Sequence, residues 1–167
     1  MRIPEFDASP NEIRAFAVVQ VVLVAVLLAL MFWAFGARDG ALPAWWLIIP
    51  LLAAPAAAAY FSERIWLSGR PLDPEESADD LKAHAVSAFA GQTLMKLYLC
   101  TAAILFAIVI GFLFRQYAGW PILIGGVPGF AVLAFEIWPS VRNISMAQVM
   151  LDSNGAKSGL TDAFLRA

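Results

Sequence analysis

Four apolar stretches, each close to 20 residues long, alternate with short polar segments along the whole chain. They fall at about residues 15–35, 43–66, 94–114 and 120–138. A helix of about 20 residues, rising about 1.5 Å per residue, matches the roughly 30 Å hydrocarbon core of a bilayer. The pattern predicts an all-α integral membrane protein with four transmembrane helices, built as two helical hairpins in a single domain. Residues 1–14, 67–93 and 139–167 then form one polar side, and the turns at 36–42 and 115–119 form the other.

The third helix is the longest. It is expected to start at Asp73, pass His84 as a cytoplasmic extension, and end as a span at Phe114. Asp73 can accept from free N–H groups, Pro74 suits the first helical position, and Glu76 stands at capping-box spacing. A break at Gly91 is the competing expectation.

Pro50 and Pro55 lie inside the second span, where each removes a backbone donor and favours a kink. Pro128, beside Gly129, is expected to bend the fourth. The tail predicts an amphipathic helix over 140–151, with Ile144, Val149, Met150 and Leu151 among its apolar residues. Asn154-Gly155 would stop it. A final helix over 158–166 would lay Leu160, Phe164 and Leu165 on the membrane surface. The first span competes with a signal peptide, because Ala34-Phe35-Gly36-Ala37 offers a cleavage-like site. Its apolar run exceeds the usual 7–15 residues and further spans follow, which favours a retained span.

Composition sharpens this picture. The chain is 61% hydrophobic, with a mean hydropathy of +0.74, which is too apolar for an ordinary soluble domain. A net charge of −2 carries no nucleic-acid footprint. Cys100 is the single cysteine, so no intramolecular disulfide and no cysteine-based metal site arise.

Nine of the eleven Lys and Arg residues fall on one side: Arg2, Arg14, Arg64, Arg70, Lys82, Lys96, Arg142, Lys157 and Arg166. The turns between spans hold only Arg38, next to Asp39, and Arg115. The positive-inside rule places both termini and the central connection in the cytoplasm. Trp33, Trp45, Trp46, Tyr117 and Trp120 would mark the outer interface, and Tyr60, Trp66, Tyr98 and Trp138 the inner one.

Two ends look alike. Ile65-Trp66-Leu67-Ser68-Gly69-Arg70, closing the second span, matches Ile137-Trp138-Pro139-Ser140-Val141-Arg142 at four of six positions. A parallel repeat of two hairpins would produce this. So would the common taste of inner membrane ends for Trp, Ser and Arg.

Candidate chemistry is sparse. Arg14, Glu63, Lys96, Glu136 and Arg142 share one depth near the cytoplasmic end, and suggest an ion-pair collar that fixes span depth. The sharper alternative is a proton or ion relay through Glu136 and Glu63. His84 reads as a solvated helix residue and Cys100 as a packing residue. No catalytic, cofactor or metal pattern is present. Ala103, Ala107 and Gly111 in the third span, and Gly125 and Gly129 in the fourth, recur at four-residue spacing. Such stripes let helix backbones approach closely, either within the bundle or against a partner.

The tail residues Trp138-Pro139-Ser140, Arg142-Asn143, Leu151-Asp152, Gly155-Ala156 and Ser158-Gly159-Leu160 resemble the end of small four-span membrane proteins of actinobacteria, a family of uncharacterised activity. The resemblance covers the last third of the chain and the span layout. It implies the topology and an inner-membrane location. Similar proteins are expected to carry an acidic residue early in the third span, where this chain has Leu97-Tyr98-Leu99-Cys100-Thr101.

The expected function is a non-enzymatic accessory or assembly subunit of a larger membrane protein complex, with Asp79, Asp80, Lys82 and His84 facing a cytoplasmic partner. Membrane lipid and a membrane protein partner, or further copies of the chain, are the expected contacts, with no cofactor. The alternatives are a small ion- or proton-coupled transporter or channel acting as a homo-oligomer, and a membrane-surface organiser using the C-terminal helix.

Overall fold

The computed structural model describes residues 9–36, 40–67 and 69–166. The expectations for Arg2, Arg38, Asp39 and Ser68 fall outside these residues. The described chain is helical throughout, with no strand among the described residues. Its elements are α1 (Pro10–Ala34), α2 (Trp45–Leu67), α3 (Ala78–Leu113), α4 (Val127–Ile137), α5 (Val141–Leu151) and α6 (Leu160–Leu165). A 3₁₀ turn (Arg115–Tyr117) and a π-helical turn (Ile122–Gly126) join α3 to α4.

Three helices, α1, α2 and α3, are long and apolar enough to cross a membrane. A fourth candidate is the run from Ile122 to Ile137 taken with α5, which bends away by 57°.

Local chemistry explains most boundaries. Ser9 caps α1 through a complete capping box: its hydroxyl accepts from the Glu12 N–H, and the Glu12 carboxylate accepts from the Ser9 N–H at 2.7 Å. α3 is one unbroken helix of 36 residues, and it passes Gly91 without interruption. Its start differs from expectation. Ser77, not Asp73, is the cap, accepting from the Asp80 N–H. Asp73 instead closes a turn, accepting from the Glu75 N–H at 3.1 Å. Just before this turn the Leu72 N–H is held by the Leu151 carbonyl at 2.9 Å, which ties the linker to the end of α5.

Pro50 and Pro55 sit inside a continuous α2. Pro128 has a visible effect. A proline ring collides with the carbonyl four residues earlier, and the preceding turn widens to π geometry.

α3 is the central helix and packs chiefly against α4 and α2, while α1 meets the bundle mainly through α4. In α1 only Ile13, Ala17 and Leu28 are buried, and Val19, Val22, Leu23, Val26 and Leu30 are exposed. Close approach is built with small residues. A Cβ on Gly125 would stand 3.0 Å from Ala107 Cβ and 3.1 Å from the Leu51 carbonyl. The two connections at the end opposite that of Ile13 also touch: Ala41 N–H donates to the Gln116 carbonyl, and Trp120 Nε1 to the Gly40 carbonyl, both at 3.1 Å. A Cβ on Gly40 would lie 2.5 Å from Tyr117 backbone, so no larger residue fits there.

The C-terminal helices are amphipathic as expected, but their apolar faces turn inward. Leu160 and Phe164 are not a membrane-surface patch. With Ile144, Ala147 and Leu151 they bury against Ile13, Trp66, Val86 and Phe89. Leu165 and Val149 alone among those residues are fully on the surface. Burying each of these large side chains contributes roughly 1.5–3 kcal/mol where the alternative is water. α5 and α6 therefore form a lid across one end of the bundle, and the first turns of α3 pack under it.

Candidate functional site

Polar chemistry concentrates where that lid meets the bundle. The face of α3 carrying Gln92, Lys96 and Cys100, at successive four-residue steps, turns toward α2 and α4. α2 brings Ser62 and Trp66, and α4 brings Glu136 from its last turn.

Lys96 Nζ donates to Glu136 Oε2 at 2.6 Å, with the two side chains 0% and 3% exposed. The same ammonium sits 3.4 Å from the centre of the Trp66 ring. Trp66 in turn stacks on Phe89 at 5.5 Å, and Phe89 meets Phe164 edge-on at 5.2 Å. One buried charge is thus linked by rings to the lid. Ser62 and Cys100 lie in weak contact at 3.7 Å.

Asn143 locks the bend between α4 and α5. Its Nδ2 donates to the carbonyls of Phe135, Glu136 and Trp138, at 2.9, 3.2 and 2.8 Å. These are C-terminal carbonyls of α4 that have no helical partner. Ser140 caps α5 by accepting from the Asn143 N–H.

Outside this core, Arg142 pairs with Glu63 across α5 and α2 at the surface. The Glu63 carboxylate holds the Arg142 guanidinium above its usual range. Arg142 also lies 5.0 Å from the Phe135 ring. Of the five residues at this level, four therefore form two ion pairs. Arg14 meets neither: it donates to the Phe164 carbonyl at 2.5 Å and lies 5.8 Å from that ring, so a cation faces the C-terminus of α6.

Three buried polar atoms in the cluster have no hydrogen-bond partner among the described residues: Trp66 Nε1 and both amide atoms of Gln92. A Cβ on Gly69 would stand 2.9 Å from Gln92 Nε2, so the linker after α2 closes directly over this amide.

The small residues serve contacts within the chain. Ala107 faces Gly125 and Gly126, Gly129 faces Ile104, and Gly111 faces the Phe35 ring. Ala103 is buried in the central core. His84 is exposed and bonds Glu76 at 2.8 Å through Nδ1. Asp79, Asp80 and Lys82 are exposed beside it. No group of three metal-ligating side chains occurs among the described residues.

Sequence reasoning missed Gln92, Asn143 and the role of Trp66. The spacing of Gln92, Lys96 and Cys100 was the available signal. The matched ends also diverge: Trp66 is fully buried, whereas its counterpart Trp138 is 46% exposed.

No protein-family model matches the chain, and no curated protein and no solved structure matches it.

Proposed function

We propose that the chain is a four-span protein of a bacterial cytoplasmic membrane, with both termini inside, and a non-enzymatic accessory or assembly subunit of a larger membrane complex. The observation that carries this reading is the sealed, cross-tied end of the bundle. Lys96 and Glu136 join α3 to α4, Arg142 and Glu63 join α5 to α2, and Asn143 fixes the lid. Such an arrangement holds four helices and a cytoplasmic cap in one relative position, which is the requirement of a part that other parts dock on. The exposed apolar surface of α1 supports burial in lipid, and the exposed Asp79, Asp80, Lys82 and His84 offer a charged contact surface on the cytoplasmic side.

The small-transporter reading has one observation in its favour. A lysine–glutamate pair buried at membrane depth, beside a Gln92 amide that has no partner among the described residues, is the kind of group transporters use. Against it, the cores above this level consist of apolar residues such as Ile104, Ile108, Leu51 and Ile110.

Gentle extraction from the native membrane, followed by mass spectrometry of what travels with the chain, tests the proposal. Stoichiometric membrane partners support the subunit reading. A pure homo-oligomer that carries an ion flux abolished by Glu136→Gln, with the fold retained, replaces it with the transporter.

A further inference from the structure

A notch of about 470 Å³ opens on the bundle surface between α2 and α4. Ala59 and Ala131 leave it room, Tyr60 and Phe135 are its aromatic walls, and Glu63 and Glu136 bound its lid-side end. The lining covers residues 59–63 and 131–136, under about 8 Å of helix axis at about 1.5 Å per residue. It suits a single acyl chain entering beside a charged rim.

The charges at the rim favour an anion. Glu136 is matched by Lys96, and Glu63 by Arg142. Arg64 is exposed, lies 5.3 Å from the Tyr60 ring, and donates to the Tyr60 hydroxyl at 2.9 Å. It has no carboxylate partner among the described residues. Each aromatic wall therefore carries a guanidinium, Arg64 on Tyr60 and Arg142 on Phe135, with one positive charge in excess.

We propose that this notch binds an anionic phospholipid of the inner leaflet. One acyl chain lies over Ala59 and Ala131 between the two rings, and the phosphate rests against Arg64 and Arg142. Basic pockets between spanning helices on the cytoplasmic side hold lipid headgroups in this way. The inference rests on the membrane reading above.

The test uses the full chain in mild detergent, titrated separately with phosphatidylglycerol and phosphatidylcholine, with bound lipid counted by native mass spectrometry. Phosphatidylglycerol should be preferred by about fivefold, for the one positive charge in excess at the rim. Arg64→Gln should weaken phosphatidylglycerol about fivefold and leave phosphatidylcholine unchanged, and because Arg64 is on the surface this variant keeps the fold. Ala131→Trp, which fills the notch, should remove both lipids. Equal binding of the two lipids, or an Arg64→Gln protein that binds phosphatidylglycerol like the parent, overturns the proposal. So does a dimer that Ala131→Trp splits, which would assign the notch to a second copy. Alkaline carbonate washing of membranes separates the two levels. A chain released by carbonate removes the membrane reading itself, whereas a retained chain without lipid preference removes only the lipid site.

Discussion

Replacing Glu136 by glutamine strands a buried ammonium, and the consequence can be worked from the geometry. At 2.6 Å, with an effective dielectric of about 20, the Lys96–Glu136 attraction is about 6 kcal/mol. Desolvating the two ions costs several kcal/mol each. The Trp66 ring under Lys96 returns up to about 2 kcal/mol. The pair is therefore close to neutral in net stability, while either half alone is not. Glu136→Gln should destabilise by about 3–5 kcal/mol. Lys96→Met together with Glu136→Leu, similar in volume and uncharged, should fall within about 1.5 kcal/mol of the parent. Unfolding in mixed micelles, followed by tryptophan fluorescence for Glu136→Gln and for the cycle of Lys96→Met, Glu136→Leu and the two combined, measures both. A coupling energy of about 3 kcal/mol or more is expected. A double variant as unstable as the sum of its singles would refute the reasoning, because the two groups would then be acting independently.

Three further outcomes follow from the same structure. Gly125→Leu should cost about 1–3 kcal/mol or more by overpacking Ala107 and Leu51, and should do so in the isolated chain, since Gly125 faces the bundle interior; thermal unfolding of the purified protein reads this. Asn143→Ala frees three carbonyls, one of them in a buried bond and two in part-buried ones, and should cost about 1–3 kcal/mol, with cleavage by protease appearing first between α4 and α5. The Ser9 N–H and hydroxyl hold the Glu12 carboxyl below the ordinary value of 4.5, so its support for α1 is complete above that pH and fades as pH falls through the lowered value; protection of the first-turn amides of α1 from hydrogen exchange, corrected for the intrinsic pH dependence of exchange, should fall on acidification, and Glu12→Gln should abolish that dependence.

Much of the architecture was legible because lipid-length apolar runs and capping pairs are local signals. Ser9 and Glu12 stand three apart in the chain, and the capping box between them is complete. Contacts across the bundle were not legible in that way. Asp73 and Ser77 are both good caps, each with a carboxylate three residues on, and these local signals do not decide between them. An amphipathic helix presents the same periodicity whether its apolar face meets lipid or protein, so the tail pattern could not say that Phe164 would seek Phe89. Lys96 and Glu136 could be assigned to one depth, but their pairing across 40 residues needs the packing of α3 on α4. Trp66 looked like an interface anchor because it stands at the end of an apolar run, and the helices that cover it lie about 80 residues or more further along the chain.

The central claim is that four helices cross the bilayer with the lid on the cytoplasmic side, and site-directed labelling addresses it most directly. Cysteines placed singly at Glu75, Gln116 and Lys157, all exposed, can be challenged with a membrane-impermeant maleimide in intact cells, while the fully buried Cys100 stays silent. The account predicts labelling of Gln116→Cys alone from outside, with Glu75→Cys and Lys157→Cys reacting only after the membrane is opened. Labelling of Lys157→Cys in intact cells, or protection of Gln116→Cys from outside, would contradict it.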